Sequence, residues 1–194
     1  IIQAKKGNYM VFFPSYKLLE QVYEKFLLSV SEEIRTMKQE SGMKEEEREK
    51  FLEAFESSGE SSMVAFCVLG GIFGEGIDLK EERLIGVVIV GTGLPQIGNE
   101  REILKTYFDQ KSGNGFDYAY RYPGMNKALQ AAGRVIRTAK DRGVIALLDE
   151  RFLESAYRSL FPREWETYLV CKAGQVGEAV SEFWKKTCTP RPAG

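Results

Sequence analysis

Four short runs rich in β-branched and aromatic residues limit the fold most strongly: Asn8–Phe13, Met63–Leu69, Leu84–Val90 and Val144–Leu148. Each is too short to span a membrane and too continuously apolar for a strand with one wet face. Each stops at strand breakers: Pro14-Ser15, Gly70-Gly71, Gly91-Thr-Gly-Leu-Pro95 and the charged Asp149-Glu150-Arg151. Between them lie amphipathic stretches. Residues 16–29 place Leu19, Val22, Tyr23 and Phe26 on one helical face, and residues 44–55 do the same with Phe51, Leu52 and Phe55. Further helices are expected over 99–108, 124–138 and 176–185. Fully buried strands alternating with such helices predict an α/β domain in three layers, a mostly parallel central sheet flanked by helices. Two weaker segments, 33–38 and 165–170, are expected as an edge strand and a final strand, and 110–116 as a loop.

A chain of 194 residues is expected to form one large domain, residues 1–187, with a loose tail over 188–194. Its opening Ile1-Ile2-Gln3, without Met, reads as the start of a fragment of something longer. Overall charge is close to neutral, 27 basic against 28 acidic residues, so it points to no polyanionic partner. The distribution is more informative. Residues 31–60 hold ten Glu against five Lys or Arg, while residues 121–142 hold six Lys or Arg against Asp141 alone. The absence of His excludes His-based triads and the common His-ligated zinc sites. Cys67, Cys171 and Cys188 are odd in number and far apart, which fits no disulfide framework or zinc knuckle and suits a reducing, intracellular setting. No apolar run reaches the length of a membrane span, so no membrane partner is expected.

Polar chemistry gathers where the strands end, the place at which open α/β sheets bind ligands. Ser15 can offer its hydroxyl, and the helix after it the first amides, to a phosphate; it can equally serve as an N-cap alone. The string Gly70-Gly-Ile-Phe-Gly-Glu-Gly76 holds four glycines in seven residues, which lets backbone approach a ligand. Glu75 and Asp78 can accept from a ribose hydroxyl or from an Arg, or be two solvated acids on a turn. The string lacks the GxxxxGK signature of a phosphate-binding P-loop. In the helix expected over 124–138, Gln130, Arg134 and Arg137 fall at i, i+4 and i+7 on one stripe, beside an apolar stripe of Leu129, Ala132, Gly133 and Ile136. Two parallel guanidiniums suit a polyanion, and the same spacing would serve two structural ion pairs. Phe116, Tyr118, Tyr120 and Tyr122 can stack on bases or pack under the domain edge.

Taken together, these residues resemble a known family. Phe12-Phe-Pro-Ser-Tyr16 is similar to helicase motif IV and Gly74-Glu-Gly-Ile-Asp78 to motif V. Gln130-Ala-Ala-Gly-Arg-Val-Ile-Arg137, succeeded by Asp141-Arg-Gly143 and Asp149-Glu-Arg-Phe152, is similar to motif VI and its downstream strand. In this order, over about residues 8–160, they resemble the C-terminal RecA-like motor domain of superfamily 2 DNA helicases of the XPD/DinG branch, which act in DNA repair. The resemblance implies a motor of two RecA-like domains with ATP and Mg2+ between them. It places the P-loop Lys, the metal-binding acids and, in many members, a 4Fe-4S cluster in the N-terminal RecA-like domain of the same polypeptide. This chain carries none of those motifs, so no cluster or metal site is expected in it, and alone it is expected to hydrolyse little ATP. The resemblance also assigns roles. Arg137 is the arginine finger, with Arg134 beside it. Gln130, Gly76, Asp78 and Glu75 belong to the nucleotide side. Ser15, Tyr16, Gly70 and Gly71 touch the backbone of single-stranded DNA. The family polarity is 5′ to 3′. A translocase or nuclease-coupled motor without strand separation, and a non-catalytic nucleotide-binding scaffold, stay open as alternatives.

Overall fold

The apolar runs become neighbouring strands. The computed structural model describes residues 1–56, 61–74, 83–136 and 141–188. Within them, β1 (Asn8–Phe13), β2 (Arg35–Lys38), β3 (Met63–Val68), β4 (Gly86–Val90) and β5 (Val144–Leu148) form a parallel sheet in the order β2-β3-β1-β4-β5. The weak segment 33–38 is therefore a strand at the sheet edge, trimmed to β2. In the register, Phe12 lies between Cys67 and Ile89.

Alternation of side chains across the pleat builds two cores. Met10, Phe12, Ala65, Cys67, Val87 and Ile89 face α2 (Glu45–Glu53), α4 (Tyr122–Ala132) and the short α5 (Ser155–Arg158). Tyr9, Phe13, Val64, Phe66 and Ile85 face α1 (Tyr16–Leu27) and α6 (Val176–Cys188). The result is the expected three-layer α/β sandwich. Asn8, fully buried, stitches the amino end of the sheet by donating to the carbonyls of Phe55 (3.0 Å) and Arg83 (2.9 Å).

Three expectations are corrected. Residues 166–170 form no strand: they are exposed, and Trp165 packs its ring on Phe161 (5.4 Å between centroids) instead of pairing with a neighbour. The helix α3 (Asn99–Ser112) runs four residues past 108, to a left-handed Gly113 (φ 73°), so 110–112 are helical. The segment after Gly113 is not an open loop either. Residues 117–121 make a π-helical turn that leads directly into α4. The aromatic group of this turn stacks on itself and on α3, with Tyr118 against Phe108 at 4.0 Å and Phe116 against Tyr120 at 5.6 Å. That is the packing role anticipated for these rings. The third correction concerns the end of α4, at the candidate site.

Chain path sets where a ligand can sit. From β1 the chain crosses over to β2, returns to β3 beside β1, and then crosses to β4 on β1's other side. Strand order reverses at β1, so the carboxyl ends of β1, β3 and β4 surround a switch-point crevice.

Candidate functional site at the carboxyl edge of the sheet

Three turns leave the sheet at this crevice. The first comes after β1. Pro14 ends the strand, and Ser15, in extended backbone, caps α1 by accepting from the Leu18 amide (3.3 Å). The second comes after β3. The Leu69 amide donates to the Phe13 carbonyl (2.8 Å), so this turn starts beside the first. Gly71 donates to Val68 (3.0 Å) and Gly74 to Gly71 (2.8 Å), which folds residues 68–74 into two linked tight turns. Gly70 sits at φ 70°, a conformation that side chains beyond glycine rarely adopt. Phe73, fully buried, anchors the turn by stacking on Phe51 of α2 with centroids 4.1 Å apart. Burial of such a ring is worth about 1.5–3 kcal/mol, enough to hold an otherwise glycine-rich segment in place.

Gln39, at the end of β2 and 1% exposed, ties the two turns together. Its Nε2 donates to the Tyr16 hydroxyl (2.8 Å), and its Oε1 accepts from the Val68 amide (3.0 Å). A Cβ on Gly71 would sit 2.8 Å from that Nε2, so the glycine leaves room for the amide. Tyr16 and Ser15 are half-buried, and Gly70 is exposed.

The third turn, residues 91–95 after β4, receives the start of α4. A Cβ on Gly124 would lie 2.6 Å from the Thr92 carbonyl oxygen, so helix and loop pack backbone to backbone. This aims α4 across the crevice. One turn along, the Lys127 side chain lies over Gly70: a Cβ there would be 2.8 Å from its Cε.

Here the third correction applies. The helix expected to reach 138 ends at Ala132, capped by Gly133. The amides of Arg134 and Val135 bond back three residues, to Ala131 and Ala132 (3.2 Å each), in a tightened turn. The buried face of α4 is Met125, Ala128, Ala131 and Ala132, with Val135 beyond the helix; of the expected stripe Ala132 is buried and Leu129 packs partly against the core, but Gly133 and Ile136 are exposed. Val135 turns inward because Gly143 leaves space for it; a Cβ on Gly143 would meet its Cγ1 at 2.0 Å. The turn carries Arg134 off the helical stripe and sets its Nη2 on the Gly74 carbonyl (2.7 Å). Gln130 stays exposed on the helix.

Five predicted positions fall on these turns or bond to them, Ser15, Tyr16, Gly70 and Gly71 directly and Arg134 through the Gly74 carbonyl, while Gln130 is exposed on α4. Glu75, Gly76, Asp78 and Arg137 lie outside the described residues. Beyond β5, Asp149 caps the next turn and accepts from Arg151 Nε (2.9 Å) and Nη2 (2.6 Å), and this hydrogen-bonded guanidinium holds its carboxyl below the usual carboxylate range. Cys67 is buried, which pushes its thiol upward, and Cys171 is exposed. No group of three or more potential metal ligands occurs among the described residues. No helix among them is long and apolar enough to cross a membrane.

Sequence reading missed Gln39, Phe73 and Lys127. A lone Gln at a strand end carries no pattern, and only the packing of β2 beside β3 gives it partners. Chemically, the edge offers hydroxyls, glycine backbone and cations.

Comparison with known proteins gives the setting. Residues 1–168 match the model of the helicase C-terminal domain. The chain is 29% identical over 167 residues to a probable ATP-dependent helicase of Methanocaldococcus jannaschii, covering 79% of this chain and 25% of that protein. It is 28% identical over 195 residues to regulator of telomere elongation helicase 1 of Rattus norvegicus, covering 91% and 15%. The solved structure of apo XPD superposes with a TM-score of 0.61 at 25% identity, covering 79% of this chain and 30% of that one. The chain therefore spans a quarter or less of these two curated relatives. With most of its length matched and its parallel sheet superposing on XPD, the chain belongs to the helicase C-terminal domain family, as a RecA-like domain of the XPD/DinG type.

Proposed function

We propose that this chain serves as the C-terminal motor domain of an ATP-dependent DNA helicase that tracks along single-stranded DNA 5′ to 3′ and acts in DNA repair. In this reading ATP is the substrate and arrives with Mg2+. The N-terminal RecA-like domain of the same polypeptide supplies the P-loop and the metal-binding acids, together with any 4Fe-4S cluster. The observation that carries the reading is the bond from Arg134 to the Gly74 carbonyl (2.7 Å). It joins the segment resembling motif VI to the start of the segment resembling motif V, which supports reading the two as parts of one site. Polarity and repair role rest on the family resemblance alone.

Arg137 is assigned as the arginine finger that stabilises charge on the transferring phosphoryl group, with Arg134 positioned by Gly74 to support it. Gln130, Glu75, Gly76 and Asp78 complete the nucleotide side. Ser15, Tyr16, Gly70 and Gly71 hold backbone phosphates of the strand, contacts that carry no sequence information and so suit movement along any sequence. When hydrolysis and phosphate release remove the negative charge, the arginines lose their partner and the cleft reopens.

The test uses the full-length polypeptide. Arg137→Ala is expected to lower DNA-stimulated ATPase by about three decades while leaving single-strand affinity within twofold. ATPase near wild type removes the finger assignment. Unwinding of duplexes with 5′ or 3′ tails decides polarity, and a motor that hydrolyses ATP but separates neither substrate is a translocase.

A further inference from the structure

Several cations of the described structure sit in ion pairs. Lys38 bonds Glu20 at 2.8 Å and Glu40 at 3.3 Å, Lys105 bonds Asp109, and Arg121 and Arg151 each hold a neighbouring aspartate. Lys127 has no carboxylate within ion-pair distance among the described residues. Its place is nevertheless well defined. The stem packs on Gly70, where a Cβ would meet Cε at 2.8 Å, Cδ at 2.9 Å and Nζ at 3.3 Å. The glycine thus gives the backbone its left-handed turn and also leaves the seat for the lysine. Gly70 itself comes after Leu69, which is bonded to Phe13 one residue before Pro14-Ser15. Gly71 abuts Gln39, which holds the Tyr16 hydroxyl. A continuous line runs from Tyr16 through Gln39, Gly71 and Gly70 to this ammonium.

We propose that Lys127 is a phosphate-binding residue of the strand track, clamping the backbone phosphate that lies over the Gly70-Gly71 turn. An ammonium with no carboxylate partner among the described residues, at the mouth of a turn with little side-chain bulk, is matched to an oxyanion, and lysine serves as a point charge without base readout. The phosphate is assigned to DNA because Gly70 and Gly71, the turn that Lys127 covers, belong to the strand side in the proposed reading, and separate DNA and nucleotide titrations distinguish the two sources. This inference rests on the reading of the edge as a single-strand track.

The experiment titrates a fluorescent oligo-dT and, separately, a fluorescent non-hydrolysable ATP analogue with the full-length polypeptide. Lys127→Gln keeps the stem and its seat on Gly70, so folding is retained, as an unchanged melting temperature would show. It is expected to weaken oligo-dT binding about fourfold near 0.15 M salt and to lower the log–log salt slope by about 0.7, the counterion release of one single-strand phosphate contact. Lys127→Arg is expected to restore the slope, and analogue affinity to stay unchanged. Ser15→Ala with Tyr16→Ala serves as the reference. If that pair weakens oligo-dT binding and Lys127→Gln does not, Lys127 is off the track while the track stands. If neither does, the track itself is misplaced and the proposal falls with it. Loss of analogue binding with oligo-dT affinity intact assigns the ammonium to the nucleotide and overturns the proposal.

Discussion

At the scale of single residues, Gln39 shows how one buried amide organises a surface. It satisfies the Val68 amide and the Tyr16 hydroxyl at once, from a position that is 1% exposed. Gln39→Leu fills the space but leaves the Val68 N–H without its acceptor, and an unsatisfied buried donor costs about 1–3 kcal/mol. Urea unfolding is expected to show a loss in that range, with oligo-dT affinity falling as Tyr16 is released. A stability change under about 0.5 kcal/mol would mean that water replaces the amide. Nothing in the sequence around Gln39 marks it. By contrast, the Ser15 cap was legible, because Pro-Ser before an amphipathic run is a local signal and its partner lies three residues away.

At the scale of elements, α4 decides the site. Its small residues Ala128, Ala131 and Ala132 let it settle on the sheet, and Gly124 lets it touch the 91–95 turn. Gly124→Ala tests the second contact, because two effects oppose. Helix propensity favours Ala by about 1 kcal/mol. The new Cβ, however, would lie 2.6 Å from the Thr92 carbonyl and near the backbone of Gly93 and Leu94, atoms that cannot rotate away. Overpacking of this kind costs about 1–3 kcal/mol. The net expectation is destabilisation by about 0–2 kcal/mol in denaturant unfolding; a gain in stability would show that α4 slides freely on the turn. The apolar face of this helix was misread by about one residue. Ala, Leu, Val and Ile recur so densely over 128–136 that periodicity alone selects no single stripe.

At the scale of the whole molecule, two faces of one sheet are covered by segments far apart in sequence. Closure of the second face depends on α6, whose Trp184 is buried against the cluster that includes Tyr9, Ile85 and Leu19, with Lys5 Nζ lying 4.1 Å from its ring. Trp184→Ala is expected to cost about 3–5 kcal/mol and to raise amide exchange in α6 and in residues 1–6 together; exchange rising in α6 alone would show that the amino-terminal residues are held by other contacts. The sequence by itself determined the parallel sandwich, the edge placement of 33–38 and the gathering of polar groups at strand ends. Those features arise from local composition: a strand buried on both faces must be apolar throughout, and a chain leaving such a strand needs Gly, Pro or a cap. Only the tertiary structure decided where α4 stops, which face it buries, and that Gln39 and Lys127 join the edge. Each of those outcomes is set by an atom from a distant segment, Gly143 beside Val135, β3 beside β2 and Gly70 beneath Lys127, and no pattern within one segment can report on a neighbour that packing brings to it.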